Sequence, residues 1–141
     1  MKTDLPDVNV LVALFAPDHQ FHAQAHQWLD AAERFATTPM TETGFIRVAM
    51  TARPGTPGVS SQDAIDRLRE LRALGKATFW PDTTSLTDRR AIVSHLQGPR
   101  QVTDTHLLNL AIAQGGRLVT FDQGIAAPLE PKNRKHILEL R

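Results

Sequence analysis

The stretch Leu5-Pro6-Asp7-Val8-Asn9-Val10-Leu11 places one carboxylate and one amide inside an apolar run near the start of the chain. Before Asp7 there is room only for a short strand, and Pro6 limits the pairing of that strand. After Asp7 the apolar residues fall at helical spacing as far as Phe15. Because a polar group in an apolar segment is costly unless something binds it, Asp7 is the first candidate functional residue.

The composition limits the possible classes of protein. A chain of 141 residues predicts a single domain, spanning residues 1–141, with room for a substantial core. The absence of cysteine excludes disulfides and fits a cytoplasmic location, and no apolar run has the length or flanks of a membrane span or signal peptide. A net charge of +1 is too small to attract nucleic acid by bulk charge, so such binding would need a local patch.

Short apolar segments alternate with amphipathic ones along the rest of the chain. The predicted strands span residues 2–8, 35–38, 76–80, 117–121 and 135–140. The predicted helices span residues 8–15, 18–34, 41–51, 62–74, 85–96 and 103–114. This alternation predicts a three-layer α/β/α fold, in which helices flank a short parallel sheet of about four to five strands.

Four acidic residues fall where the predicted strands end. Asp7 ends the first strand, Glu42 follows the second, Asp104 opens the last long helix, and Asp122 follows the strand at 117–121. Each alone is explained by helix capping or by the helix dipole. At one edge of one sheet, however, they would repel, and a hard cation such as Mg²⁺ or Mn²⁺ would offset that repulsion. Such an ion can activate water for attack on a phosphate.

Four motifs contain these residues, and they follow one another in a fixed order. They are Asp7-Val8-Asn9-Val10-Leu11, Thr41-Glu42-Thr43-Gly44-Phe45, Thr103-Asp104-Thr105-His106-Leu107-Leu108 and Leu118-Val119-Thr120-Phe121-Asp122. Together they resemble PIN-domain ribonucleases, and most closely the VapC-type toxins of bacterial toxin–antitoxin pairs, over essentially the whole chain. The resemblance implies a PIN-like fold and an endoribonuclease that depends on Mg²⁺ or Mn²⁺. It also implies an RNA substrate, a cognate antitoxin protein and a homodimer.

The resemblance assigns a role to each acidic residue. Asp7, Glu42 and Asp104 match the three core acidic positions of the family, and Asp122 matches its more variable fourth. Asp7, Asp104 and Asp122 are expected to bind the metal. Glu42 is expected to bind it as well, or to orient the attacking water as general base. Attack in line on the phosphodiester would leave a 5′-phosphate and a 3′-hydroxyl.

Other polar residues near these motifs have lesser expected roles. Asn9 and Thr120 match the residues that usually support the family's site. Asp4 matches nothing in the pattern, and we interpret it as a surface residue of the first strand. Local positive charge for an RNA path beside the acidic edge would come from Arg47, Arg53 and Arg100.

Two further patterns favour structural roles. The side chains of His19, His22 and His26 share one helix face, but no carboxylate follows at a zinc-binding spacing, so we interpret them as surface residues. The pair Phe79-Trp80 ends a strand, and we interpret both side chains as core rather than as a platform for RNA bases.

The sequence leaves three alternative functions open. A solitary PIN nuclease in RNA processing, without an antitoxin, would have the same motifs. A receiver-like or flavodoxin-like binding module without catalysis would have a similar alternation of strands and helices, but a receiver needs a late lysine where Thr120 to Asp122 stand. A phosphatase of the haloacid-dehalogenase type needs an aspartate two residues after its nucleophile, where this chain has Asn9.

Overall fold

A sheet of five parallel strands forms the centre of the computed structural model, which describes residues 2–94 and 96–141. The strand order is β3-β2-β1-β4-β5. The strands are β1 (Thr3–Pro6), β2 (Arg34–Thr37), β3 (Ala77–Phe79), β4 (Arg117–Thr120) and β5 (Ile137–Glu139). The prediction of a short parallel sheet is confirmed.

Helices cover both faces of this sheet. They are α1 (Val8–Phe15), α2 (His22–Ala31), α3 (Pro39–Met50), α4 (Ser61–Arg72), α5 (Val102–Ala113) and the short α6 (Pro131–Arg134), with a 3-10 turn at Pro99–Gln101. Residues of α1 to α4 form one apolar cluster with Phe35 and Val119, and α5 forms a second with Leu5 and Leu118. The three-layer prediction is therefore confirmed. None of the helices in the described ranges has the length and apolar character needed to cross a bilayer.

The position of β1 in the sheet decides where a ligand can bind. From β1 the chain builds outward to β2 and β3 on one side, and later to β4 and β5 on the other. In sheets of this kind, ligands occupy the crevice at the carboxyl ends of the two strands where the winding direction reverses. Here those strands are β1 and β4, where Pro6 stands opposite Val119. The central strand thus delivers Asp7 directly to this crevice.

Local signals explain how the helices begin and end. Thr38 precedes α3, and its backbone N–H donates to Oγ1 of Thr41 at 3.1 Å, while Pro39 occupies the first helical position. Ser60 Oγ caps α4 by accepting from the backbone N–H of Asp63 at 3.1 Å. Gly115, whose φ of 70° suits glycine, ends α5. These signals are local, so most helix bounds were predictable to within a few residues.

The interpretation of Asp4 as a surface residue is wrong. The residue is only 2% exposed, because β1 is the central strand and both faces of the sheet are covered. Its carboxylate accepts hydrogen bonds from Arg117 Nε on β4 at 2.7 Å and from Trp28 Nε1 on α2 at 2.8 Å. A buried charge is tolerated when it is paired and hydrogen-bonded in this way. Asp4 therefore ties three elements together.

The helix predicted at 85–96 is also wrong, and its described residues form turns and irregular structure instead. The side chain of Asn109 on α5 accepts from the backbone N–H of Ile92 at 2.7 Å and donates to its carbonyl at 2.9 Å. The carboxylate of Asp88 accepts from the backbone N–H of Arg90 at 2.8 Å. These side-chain contacts use backbone groups that a helix would need. His95 belongs to the predicted range but lies outside the described residues.

Several aromatic side chains have contacts or an exposure that the sequence did not predict. The ring of His22 donates to the carbonyl of Ala13 at 2.7 Å, and the ring of His26 donates to that of Leu14 at 2.8 Å. These two histidines therefore cap the C-terminal end of α1, with His26 exposed as predicted and His22 half-buried. At the end of β3, Trp80 is buried as predicted, whereas Phe79 is 36% exposed and does not belong to the core.

Candidate active site

Asp7 is held at the junction of β1 and α1. As the N-cap of α1 it accepts at Oδ1 from the backbone N–H of Val10, at 3.1 Å. Its Oδ2 accepts from the hydroxyl of Thr120 at 2.5 Å, and its own backbone N–H donates to the carbonyl of Val119 at 2.9 Å. The carboxylate is thus fixed between the start of α1 and the end of β4, with only 5% of the residue exposed.

Thr120 connects two of the predicted acidic residues. It is fully buried at the last position of β4, and its hydroxyl donates to Asp7. The same oxygen accepts from the backbone N–H of Asp122 at 3.0 Å. One hydroxyl therefore fixes the position of Asp7 relative to the turn that carries Asp122.

Asp104 lies in the first turn of α5 and contacts the same group of carboxylates. Burial, the charges of Asp7 and Asp122, and a hydrogen bond to Asp122 together raise the pKa of Asp104 to about 7. The positive end of the helix dipole would lower this pKa, so burial and repulsion outweigh the dipole here. The hydrogen bond with Asp122 favours the protonated form of Asp104, because a protonated carboxyl can donate and an ionised one cannot.

The pKa of Asp7 is also raised from its ordinary value, and burial is the largest cause. The hydrogen bonds from Thr120 and from the backbone N–H groups of Val10 and Asn9 oppose this shift, and the charge of Asp122 adds to it. Asp7 and Asp104 thus both have raised pKa values, because of burial and of the charge of neighbouring carboxylates. Such shifts mark candidate functional sites when the groups line a cleft.

A small cleft of about 70 Å³ adjoins these carboxylates. Its lining comes from the first turns of α1 and α5, namely Asp7, Val8, Asn9, Thr103, Asp104 and Leu107. Asn9 is exposed and lines the cleft, while its backbone N–H bonds the carboxylate of Asp7. Sequence reasoning did not single out Thr103 or Leu107. Their positions next to Asp104 and one turn after it are the signal that could have identified them.

Glu42 occupies the same edge of the sheet but has different partners. Its Oε2 accepts from the hydroxyl of Thr37, the last residue of β2, at 2.7 Å. The same oxygen lies 3.6 Å from the guanidinium of Arg72 at the end of α4. No contact found among the described residues joins Glu42 to the other three carboxylates. The structure therefore brings together Asp7, Asp104 and Asp122, and leaves Glu42 beside them.

The three predicted RNA-path arginines are not together. Arg100 is exposed in the 3-10 turn that leads into α5, close in the chain to Asp104. Arg47 is exposed on α3. Arg53 follows α3, a helix of twelve residues or about 18 Å that leads away from the acidic edge. It lies instead in a loop beside Asp18, so the expectation that Arg53 lines this edge does not fit the structure.

The donor atoms of this cluster fit a hard divalent cation by their chemistry. All are carboxylate oxygens, and a cation would offset the repulsion that raises the pKa of Asp104. A cation between these carboxylates would favour the ionised form of Asp104 over the protonated one. Within residues 2–94 and 96–141, however, no three acidic or histidine side chains are already arranged as a metal-binding group. Binding would therefore require side-chain adjustment.

The raised pKa of Asp104 predicts how the stability of the metal-free protein depends on pH. Because the pKa is about 7 in the folded state against 3.8 for a model carboxyl, its protonated form favours folding, and this contribution is lost as pH rises through about 7. Relative to Asp104→Asn, the metal-free wild type should lose about 1–2 kcal/mol of unfolding free energy between pH 4 and 8, after discounting for solvent screening. Urea unfolding of both proteins across this range measures the difference, and parallel pH profiles would contradict it.

Replacing Thr120 by valine should destabilise the protein. The change removes the donor to Asp7 and the acceptor for the Asp122 N–H, and leaves buried polar groups unsatisfied, so we expect a loss of about 1–3 kcal/mol. Thr84→Val is the matched control, because the buried Thr84 hydroxyl has no hydrogen-bond partner in the described structure. Urea unfolding should show little change for the control. Equal losses in the two variants would argue against the bridging role of Thr120.

Comparisons with known proteins show which family this sequence is similar to. Residues 5–128 match the family described as PIN domain. The chain is 41% identical over 131 residues to Ribonuclease VapC39 of Mycobacterium tuberculosis, covering 88% of this chain and 91% of the relative. It is 41% identical over 140 residues to Ribonuclease VapC44 of the same species, covering 96% and 98% of the two chains. Ribonuclease VapC29 is 37% identical over 125 residues, covering 88% and 89%.

Proposed function

Because this chain belongs to the PIN-domain family, we propose that it is a metal-dependent endoribonuclease that hydrolyses RNA phosphodiester bonds. We propose further that it is the toxin of a VapBC-type toxin–antitoxin pair. The relatives named as VapC ribonucleases support this proposal, since they match the chain over nearly its whole length. The observation that carries it is the placement of Asp7 and Asp104 in one cleft where β1 and β4 end, with Asp122 joined to Asp7 through Thr120.

In this proposal, Asp7, Asp104 and Asp122 hold one or more Mg²⁺ or Mn²⁺ ions. When bound, such an ion would lower the pKa of water and stabilise charge on the phosphate. Asp104 would bind the ion in its ionised form, and the positive charge of the ion would favour that form against burial and repulsion. Thr120 keeps the carboxylate of Asp7 in one orientation through its hydroxyl. Asn9 lines the cleft, where its amide can contact either water or the RNA.

Glu42 is proposed as the general base. Thr37 and Arg72 both engage Oε2, so Oε1 is the atom that would accept the proton of the attacking water. Attack in line on phosphorus breaks the bond to the 3′-oxygen, which takes up a proton and leaves as a 3′-hydroxyl, while the 5′-phosphate stays on the other fragment. Arg100 and Arg47, both exposed, would supply local positive charge for the RNA.

Cleavage of RNA by the purified protein tests the proposed activity. Incubation of a panel of transfer, ribosomal and messenger RNAs with Mg²⁺ or Mn²⁺ should yield discrete fragments that carry 5′-phosphates. EDTA should abolish the cleavage. Hydrolysis of a chromogenic phosphate ester without cleavage of any RNA would instead support a phosphatase, and inactivity on both substrates would support a binding module.

The antitoxin is tested separately from the nuclease. Expression in bacteria should arrest growth, and co-expression of the small protein encoded next to this gene should relieve the arrest and co-purify with the chain. The same proposal includes a homodimer in the cytoplasm, which size measurement by light scattering would test. Growth arrest that no neighbouring gene relieves would favour the solitary nuclease.

The non-catalytic alternative has less support from the fold. Flavodoxin-like and receiver domains have the strand order 2-1-3-4-5, whereas this sheet has the order β3-β2-β1-β4-β5. Both orders place a ligand at the carboxyl ends of the strands. In the present order β1 and β4 are adjacent, and their adjacency allows the hydroxyl of Thr120 to donate to the carboxylate of Asp7.

A further inference from the structure

An aromatic side chain is exposed at the carboxyl end of the edge strand β3. Phe79 is 36% exposed, and it is the one aromatic residue among the large apolar side chains that the described structure leaves open to solvent. In the register of the sheet it stands opposite Thr37, whose hydroxyl binds Glu42. Phe79 therefore lies at the same edge as the candidate general base.

The guanidinium of Arg72 lies over the ring of Phe79, at 4.9 Å from the ring centroid. Such a contact is a cation–π interaction, and the side chain of Arg72 remains 46% exposed. The same guanidinium lies 3.6 Å from Oε2 of Glu42. One arginine thus joins an exposed aromatic ring to a carboxylate of the candidate active site. This pair of flat groups, Phe79 and Arg72, is named the β3 platform below.

From this geometry we propose that the β3 platform stacks a base of single-stranded RNA next to Glu42, an inference that rests on the proposed nuclease function. Single-stranded RNA is typically bound by stacking bases on aromatic rings or guanidinium planes beside positive charge. Both kinds of group are present here and both are partly exposed. Phe79 contacts an arginine and stands opposite a threonine in the sheet. These polar neighbours suit a nucleic-acid base better than an extended apolar partner.

The platform would contribute to the binding of single-stranded RNA rather than to the chemical step. A base stacked on Phe79 would place the attached backbone within reach of the edge that carries Glu42. The guanidinium of Arg72 could then contact an RNA phosphate as well as the carboxylate of Glu42. The nucleotide at this position would be bound without base-specific hydrogen bonds, because every base has a flat face.

Binding of labelled RNA without metal tests the platform directly, since cleavage is then prevented. The probes are oligoadenylate and oligouridylate of about twelve nucleotides, and an abasic ribose-phosphate strand of the same length. Phe79→Ala should bind the base-containing strands about fivefold to a hundredfold more weakly, and bind the abasic strand as the wild type does. Phe79→Tyr should retain binding, whereas Phe79→Leu should resemble Phe79→Ala because it lacks a flat ring. Leu74→Ala is the control for an exposed apolar residue and should change nothing.

Several outcomes would overturn the inference. Equal RNA affinity of Phe79→Ala and wild type, with equal melting temperatures, would refute the proposed role of the β3 platform. The nuclease proposal would not be affected. Full binding by Phe79→Leu would show that apolar bulk and not stacking matters. Unchanged RNA binding together with weaker binding of the neighbouring gene's protein would assign the surface to a protein partner. Failure of the wild type to bind or cleave any RNA would refute the proposed function itself, and the platform with it.

Discussion

Asp104→Asn is expected to reduce RNA cleavage at least about a thousandfold while leaving the protein folded. The variant removes one of three carboxylates that are proposed to hold the ion, and several kcal/mol of transition-state stabilisation depend on that ion. Asparagine cannot ionise, so the burial and repulsion that raise the pKa of Asp104 no longer oppose folding. The metal-free variant should therefore melt at a higher temperature than wild type at pH 8.

A combined measurement separates this account from a simple loss of structure. Cleavage rates with saturating Mn²⁺ and melting curves in EDTA should be recorded on the same preparations. Asp63→Asn is the matched control, because Asp63 also lies in the first turn of a helix but is exposed on α4. It should retain full activity. A normal cleavage rate in Asp104→Asn would refute the assignment of the site.

Asp4→Ala should be the most destabilising of the substitutions considered. It leaves the guanidinium of Arg117 without its carboxylate partner and the indole N–H of Trp28 without an acceptor, in a region that is otherwise covered. Breaking a buried ion pair from one side costs about 3–5 kcal/mol, and the partial exposure of Arg117 places this case near 3 kcal/mol. The melting temperature should fall by roughly 10 °C.

Two variants calibrate that loss. Asp66→Ala removes an exposed ion pair with Arg69 and should cost about 0.5 kcal/mol or less. Trp28→Phe removes the indole donor together with part of a buried ring system and should cost about 1–3 kcal/mol, between the two aspartate variants. Thermal and urea unfolding measure all three. If Asp4→Ala cost no more than Asp66→Ala, the ion pair between β1 and β4 would contribute nothing net to stability.

The sequence was sufficient to predict the fold class and the edge of the sheet that carries the acidic residues. The change from strand to helical spacing around Asp7 is a local pattern, and so is the apolar strand before Asp122. Once the strands are parallel, their carboxyl ends must meet at one edge. The prediction that Asp7, Asp104 and Asp122 lie near one another needed no more than this rule.

The features that the sequence did not predict depend on contacts between residues that are distant in the chain. Asp4 and Arg117 are separated by 113 positions, and in the sequence Asp4 looks like any exposed acid on a strand. The residues at 85–96 have helical spacing, but Asn109 binds the backbone of Ile92 and holds it in another conformation. The exposure of Phe79 depends on β3 being an edge strand, which only the strand order reveals.

The partners of Glu42 in the site were also not predictable from the sequence. Its place in the first turn of α3 follows from the sequence, but its partners Thr37 and Arg72 come from β2 and the end of α4. No contact among the described residues joins it to the other carboxylates. A general base that is held apart from the cation ligands is consistent with this arrangement, and it can be distinguished from a fourth ligand by experiment.

The central claim is that Asp7, Asp104 and Asp122 form one cation site. Calorimetric titration of Mn²⁺ into metal-free protein at pH 8 tests it most directly, with wild type, the three Asp→Asn variants and Glu42→Gln compared. Each Asp→Asn variant should bind at least about tenfold more weakly than wild type, since each removes a charged oxygen ligand. Glu42→Gln should bind Mn²⁺ like wild type although it cleaves RNA slowly. Unchanged Mn²⁺ affinity in Asp7→Asn and Asp104→Asn would contradict the account.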